Sequence, residues 1–475
     1  MVKYSSEKQE GVRMVLFRRV ISSILLAFGV NLLSLLFLTD ARFGVSFPRS
    51  IKLGVFLILF VCFAVINIKP QRRREMPNKS VGVLYSGCEL LRLFLISATL
   101  TAVFQIVTAV CAYFLIFPWK TAVSGAMLGR WSAGLLLAFL GEAFVFWNGM
   151  IRVYLTSVQL GIKHRIAAAV CGWIPGLNIY YLKKIIDIAA AEIETETQKW
   201  ELNAVRAENE ICRTKYPILL VHGVFFRDFR YLNYWGRIPR ELKKNGAVVY
   251  YGQQQSAASV ESCGKELAER IRGIAEETGC EKVNIIAHSK GGLDSRAAIA
   301  HHGAAPYVAT LTTINTPHRG CIFAEYLLNK VPEKARNAIS ETYNATLRKL
   351  GDHSPDFLAA VTDLTESACL ARNEVTPDAS DVLYESVMSY CGKARSGKFP
   401  LNVSYPLVRH FDGKNDGLVS VTSAKWGSRF TLLEPAGKRG ISHGDIIDLN
   451  RENIKGFDVR EFYVSLAADL KRRGY

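Results

Sequence analysis

Val283-Asn284-Ile285-Ile286-Ala287-His288-Ser289-Lys290-Gly291-Gly292 is the stretch on which the reading of this chain turns. The apolar, β-branched run from Val283 to Ala287 predicts a short buried strand, and Gly291–His302 predicts a helix. A serine on the sharp turn between the two has the context of a nucleophile elbow. The turn brings backbone segments so close that the residues two before and two after the serine must be small. Here they are Ala287 and Gly291. The Ser289 Oγ is then held above the sheet edge, and the Lys290 N–H points at the same spot. A serine that only caps a helix needs neither the apolar strand before it nor the double glycine after it.

Outward from this point the pattern repeats. Pro217–Val221, Val248–Tyr251, Thr310–Ile314 and Leu407–Phe411 also read as strands, and Ser259–Gly279 reads as a helix. Such alternation predicts α/β architecture, a mostly parallel central sheet with helices on both faces. A serine nucleophile needs a general base, itself oriented by an acid, in the chain order Ser, acid, His. His301 and His302 lie on the helix that Ser289 starts, His318 precedes any acid strand, His353 is in a polar segment, and His410 falls inside a predicted strand. His443, in a loop after the last strand, is the best base. Asp412 and Asp416 both follow the Leu407–Phe411 run and stay open as the acid. The turn Val221-His222-Gly223-Val224 after the first strand offers the Val224 N–H as a second oxyanion donor beside Lys290.

Together these segments resemble the bacterial triacylglycerol lipases of the α/β-hydrolase fold, particularly the secreted type that often depends on a foldase. The matching strings are Pro217–Val224 (PILLVHGV), Val283–Leu293 (VNIIAHSKGGL), Thr313–Gly320 (TINTPHRG), Asn415–Val419 (NDGLV) and Ser442–Asp445 (SHGD). The resemblance implies Ser289 as nucleophile, Asp416 as orienting acid, His443 as base, and Val224 with Lys290 as oxyanion donors. It also implies a helical lid, for which Arg336–Cys391 is the matching place. A structural calcium near the catalytic histidine would use Asp445, although a helix cap over Ile446–Asn450 is the competing reading of that residue. No cofactor is needed for the chemistry itself.

Residues 1–213 have no counterpart in that resemblance, and composition explains them. The 475 residues carry a formal charge of +17, yet 49% are hydrophobic. Up to Ala190 there are 21 Lys and Arg against 7 Asp and Glu, so that part holds +14 and the remainder only +3. Excess charge in the most apolar part marks membrane helices with basic loops and argues against nucleic acid as a partner. Val20–Thr39, Ile51–Ile68, Leu93–Phe117 and Trp131–Ile151 read as four transmembrane helices. Ile166–Leu182, interrupted at Ile174-Pro175-Gly176, fits a re-entrant or interfacial segment and, alternatively, a fifth crossing. Glu142, deep in a span, is either a functional site or a carboxyl bonded to Asn31, Gln105 or another helix.

The expected plan is therefore a membrane domain over 1–190, a helical linker over 191–213, and a lipase-like domain over 214–475 with its lid at about 336–391. Basic residues cluster in the N-terminal tail (Lys3, Lys8, Arg13, Arg18, Arg19), around Arg72-Arg73-Arg74, and after the fourth span. Only Arg42 with Arg49, and Lys120 with Arg130, occupy the alternate loops, which puts the catalytic domain in the cytoplasm of a multi-pass cell-membrane protein. The expected activity is hydrolysis of a lipid or small ester. Acyl transfer by the same triad and a non-catalytic membrane receptor or transport module are the rivals. Ten cysteines without a CxxC pair give no zinc signature and leave disulfides open.

Overall fold

Alternate residues of the central strands feed two separate cores, because successive side chains of a strand point to opposite faces. In the computed structural model, which describes residues 2–43, 47–70, 75–111, 125–224, 233–349, 351–434 and 437–475, this alternation organises the second of two units. Contacts divide the chain between Glu201 and Leu202. Ile218, Leu220, Ile286, Ile314 and Val387 face one side with Trp235, Ile238 and Tyr463. Leu219, Val221, Ile285, Ala287 and Leu311 face the other with Leu267, Ile271 and Ala298.

The elements of this unit are β1 (Ile218–Val221), β2 (Val249–Tyr251), β3 (Val283–His288), β4 (Val308–Ile314), β5 (Leu383–Met388) and β6 (Arg429–Leu432), six parallel strands in the order β2-β1-β3-β4-β5-β6. Numbered along the whole chain, the unit's helices are α8 (Ile238–Lys244), α9 (Val260–Thr278), α10 (Lys290–His301), α11 (Ile322–Lys330), α12 (Glu333–Lys349), α13 (Phe357–Thr362), α14 (Glu366–Val375), α15 (Leu401–Asp412), α16 (Val421–Ala424) and α17 (Val459–Arg472). Helices α8 and α17 cover one core, α9 and α10 the other. This is an α/β-hydrolase sheet with the serine turn near its centre.

Two readings of the sequence are corrected. Leu407–Phe411 is not a strand but the end of α15, in which Tyr405 and Val408 are buried and Arg409 and His410 exposed, a helical period. The segment expected as a lid, Arg336–Cys391, is helical only as far as Val375. Its last part is β5, whose alternation is broken by Glu385, a carboxylate held by Arg473 at 2.8 Å. Strand β6 was also not anticipated.

The first unit is built from α1 (Val2–Val30), α2 (Leu32–Phe43), α3 (Arg49–Ile68), α4 (Lys79–Cys111), α5 (Gly125–Thr156), α6 (Ile162–Cys171) and α7 (Leu177–Arg206), the last running past the division at Glu201. Among the described residues, Arg49–Ile68, Lys79–Val110 and Gly129–Thr156 are long and apolar enough to cross a membrane. The expected first span is broken: Arg13–Val30 and Leu32–Thr39 meet at 61° around Asn31, and count as a fourth span only if the bent pair is one. Asn31 Nδ2 donates to Ala27 O at 2.7 Å and to Thr101 Oγ1 at 2.9 Å. Helices α4 and α5 approach closely at Gly87, where a methyl group would lie 3.0 Å from Gly149 O.

Glu142 is bonded to another helix. Ser97 and Thr101 of α4 donate to its carboxyl, both at 2.9 Å, while Gln105 reaches Asn31 at 2.7 Å. Glu89, near the start of α4, is held by Arg19 at 2.9 Å and Arg92 at 2.6 Å. The break at Ile174-Pro175-Gly176 falls between α6 and α7. Helix α6, of 10 residues, rises about 15 Å, half the thickness of the hydrocarbon layer. Arg72, Arg73, Arg74 and Lys120, and the end of the third expected span beyond residue 111, lie outside the described residues.

Candidate active site

Strand β3 ends at His288, and the next residue is strained. Ser289 has φ 53° and ψ −130°, a region that non-glycine residues occupy at a cost of about 1–3 kcal/mol. Backbone and neighbouring side chains hold it there: Ser289 N–H donates to Ile314 O at 2.9 Å, and Thr316 Oγ1 donates to Ser289 O at 2.8 Å. The small-residue requirement is met where it was expected. A methyl group on Gly291 would sit 2.3 Å from His222 O, so β1 and the first turn of α10 touch only because glycine is there.

Asp416 and His443, 27 residues apart in sequence, are tied twice. His443 Nδ1 lies 2.6 Å from Asp416 Oδ2, and His443 N–H donates to Asp416 O at 3.0 Å. Asp416 is fully buried and its oxygens are divided. Oδ1 accepts the N–H groups of Leu418 (2.9 Å) and Val419 (2.8 Å), and Oδ2 accepts from Asn315 Nδ2 at 2.5 Å as well as facing the imidazole. The His443 ring lies 4.4 Å, centre to centre, from that of His288, the residue before Ser289, the two planes tilted by 48°. The rival acid lies elsewhere: Asp412 ends α15, and burial raises its carboxyl above the usual carboxylate range although the nearby backbone of Phe323 and Ile322 at the start of α11 works against that.

The site also contains residues that sequence reasoning did not assign. His288 is fully buried, with Nδ1 at 2.6 Å from Tyr234 Oη. Burial, then the neighbouring His443, holds its imidazole well below the usual histidine range. It stays neutral and does not compete for a proton. Asn315, at φ 47°, also donates to Ser389 Oγ at 2.8 Å, which fixes the amide that meets Asp416. Its one sequence signal was its place in the string TINTPHRG. His318 is stacked at 4.5 Å on Trp426, and its Nε2 lies 2.9 Å from Thr313 Oγ1. His410 is exposed on α15, away from a strand.

Of the two expected oxyanion donors, Lys290 opens α10, where N–H groups lack acceptors within the helix. Val224 follows Gly223, a position where a methyl group would come within 2.8 Å of Ser289 Cβ. The Lys290 side chain is buried and its Nζ pairs with Asp294 Oδ1 at 2.6 Å. Burial would lower the ammonium, but Asp294 and Cys263 keep it above its ordinary value. Removing one partner strands a buried charge. Asp294→Asn is therefore expected to destabilise the unit by about 3–5 kcal/mol, which is roughly 6–20 °C in Tm, measured by thermal unfolding of the purified protein. Replacing both partners by leucine and methionine should recover most of that loss.

Calcium at Asp445 is not supported by the donor set. Arg439 donates to its carboxylate at 2.8 Å and the Ser442 N–H at 2.9 Å, so a cation already faces it. No group of three or more His, Cys, Asp or Glu that could hold a metal occurs among the described residues. Cysteines 212, 263, 280, 321, 369 and 391 are all free thiols, and burial pushes Cys212 and Cys263 up to about 12.

Comparison with known proteins adds the following. The family model described as "Putative serine esterase (DUF676)" matches residues 218–352. A triacylglycerol lipase of Vibrio cholerae is 30% identical over 237 residues, 45% of this chain and 75% of the relative. The triacylglycerol lipase of Burkholderia plantarii is 33% identical over 190 residues, 37% of this chain. That match covers 52% of the Burkholderia protein, so the chain spans about half of that relative's length. Among solved structures, the mature lipase BlEst2 of Bacillus licheniformis is 25% identical with a TM-score of 0.39, over 50% of this chain and 88% of that one.

Proposed function

The chain belongs to the triacylglycerol lipase family, and from that premise we propose that it is a membrane-anchored serine esterase acting on the carboxylic esters of acyl lipids. The observation that carries this is the 2.6 Å contact between Asp416 and His443, with the His443 ring against that of His288, the residue before Ser289. Asp416 accepting from Nδ1–H leaves the Nε2 lone pair free to act as base.

In this scheme Ser289 Oγ attacks the ester carbonyl carbon and gives its proton to His443 Nε2. Negative charge on the carbonyl oxygen is met by the N–H groups of Val224 and Lys290. The bond to the alcohol breaks, and the alcohol leaves with the proton from Nε2. Water then attacks the acyl-enzyme carbon, passing a proton to Nε2, and Ser289 takes that proton back as the fatty acid departs. The neutral His288 beside the ring adds no charge to repel the transient imidazolium.

The apolar helices of the first unit hold the enzyme at a bilayer, and their basic loops favour a cytoplasmic catalytic unit. A triad beside a membrane meets substrates that never leave it. The full chain in nanodiscs, treated with a fluorophosphonate, should carry one adduct on the peptide containing Ser289. The same preparation should release free fatty acid from acyl glycerides, and this should persist when excess glycerol is offered as acceptor. Folded protein that takes no adduct, or carries it elsewhere, would defeat the proposal. Products that are only transacylated would replace hydrolysis by acyl transfer.

A further inference from the structure

Strands β1 and β2 are parallel neighbours, and the loops that leave their C-terminal ends continue side by side. Gly252 N–H donates to Leu220 O at 2.9 Å. Two residues on, the loops are joined twice: Gln254 Nε2 donates to His222 O and His222 Nε2 to Gln254 O, both at 3.0 Å. Further along, Val224, the expected oxyanion donor, packs against Ala257, Leu347 and Ala360. Residues 254–257 are therefore the outer wall of the oxyanion loop. The loop cannot yield on its inner side, where a methyl group at Gly223 would come within 2.8 Å of Ser289 Cβ.

The wall is held from behind by the chain that follows α12. Ser256 donates to the Asp352 carboxylate from its N–H at 3.1 Å and from its hydroxyl at 2.5 Å. Ser354 N–H donates to Gln255 Oε1 at 2.7 Å, and Asp356 N–H to Ala257 O at 2.6 Å. Three successive residues of the wall are thus clasped by every second residue from 352 to 356. Of these ties, only the one to Ser256 is made by a side chain of the clasp. Ser256 and Asp352 are both buried, and a carboxylate taking two donors from one residue fixes it more firmly than a neutral acceptor would.

We propose that Asp352 is a positioning residue of the active site, which holds the Val224 N–H at the oxyanion through Ser256 and Ala257. A donor stabilises a developing charge only if it is in place before the charge forms, and a misplacement of about 1 Å forfeits much of its effect. One side of the Val224 loop is fixed by Ser289. The other is only as fixed as Ala257, and Ala257 follows the residue that Asp352 grips. Asp352 itself touches neither substrate nor the reacting atoms. This inference rests on the esterase reading of the previous section, since an oxyanion donor needs an ester carbonyl to serve.

Steady-state kinetics of the full chain in nanodiscs, on a p-nitrophenyl ester and its thiono analogue, test this. The C=S sulfur is a larger atom and a poor acceptor, so the thionoester gains little from the oxyanion donors. Asp352→Ala should lower kcat for the ester at least about tenfold, a fraction of what losing a whole donor costs, with KM within about twofold. The loss for the thionoester should be at least about fivefold smaller. Asp352→Asn, whose amide oxygen can accept both Ser256 donors, should bring kcat back to within about threefold of wild type. If the alanine variant does not fold, Ser256→Ala removes the hydroxyl tie alone and should show the same selective loss, at about threefold or more. Equal losses for the two substrates, a change in KM alone, or no loss in a folded variant would overturn the proposal. Wild-type protein that hydrolyses neither substrate would defeat the esterase reading and this inference with it, whereas an active wild type with indifferent variants defeats this inference alone.

Discussion

Ser289→Ala is expected to lower kcat for a soluble ester by about a million-fold and to abolish fluorophosphonate labelling, with Tm unchanged. The interactions that hold the turn are made by the main chain of Ser289, through Ile314 O and the Thr316 hydroxyl, and alanine keeps both. Alanine tolerates φ 53° no worse than serine does, so the strain already present is not increased. Nearby hydroxyls cannot stand in. Ser295 Oγ donates to Gly291 O at 2.7 Å from within α10, and Thr316 Oγ1 is committed to Ser289 O. What remains should be a residual acceleration of about 1,000- to 10,000-fold over water, from the oxyanion donors and binding alone. Activity above roughly a tenth of wild type would mean that another residue attacks the ester.

The serine turn was legible because every level of the sequence agreed there. The apolar strand, the forced glycine at 291 and the following helix all require one another, and the structure shows why in the 2.3 Å approach that a methyl group would make to His222 O. Where levels disagreed, reading failed. Leu407–Phe411 is β-branched and aromatic enough for a strand, but its burial follows a helix, and that period cannot be seen in five residues. Strand β5 was hidden by Glu385, a buried carboxylate whose partners Arg473 and Arg429 arrive from distant parts of the chain. Asp416 could not be separated from Asp412 by the residues alone. Their difference lies in tertiary partners, Asn315 and His443 for one and the start of α11 for the other.

In the first unit, composition revealed the apolar helices but not the break at Asn31. An uncharged run looks like one continuous span. The bend coincides with a side chain whose amide bonds Ala27 O and Thr101, a combination that depends on α4 being alongside. Polar residues inside apolar helices thus record packing between helices, which a linear reading cannot order.

Asp416→Asn should cost about 10,000-fold in kcat while Ser289 remains in place. The direction follows from the donors around the carboxylate. Leu418 and Val419 N–H groups both need an acceptor, so the amide oxygen must take the position of Oδ1. The amide nitrogen then occupies the position of Oδ2, where it faces Asn315 Nδ2 and the Nδ1–H of His443, donors opposed to a donor. The imidazole can relieve this by moving its proton to Nε2, which leaves Nδ1 as an acceptor. In that tautomer Nε2 already carries a proton and can no longer accept one from the serine. The asparagine at 315 keeps an unsatisfied donor, so stability should also fall by about 1–3 kcal/mol. Asp412→Asn is the control: its carboxyl stands at the end of α15, and kcat should stay within about twofold. Steady-state kinetics on a soluble ester decide between the two, and a larger loss in the Asp412 variant would assign the acid to the wrong residue.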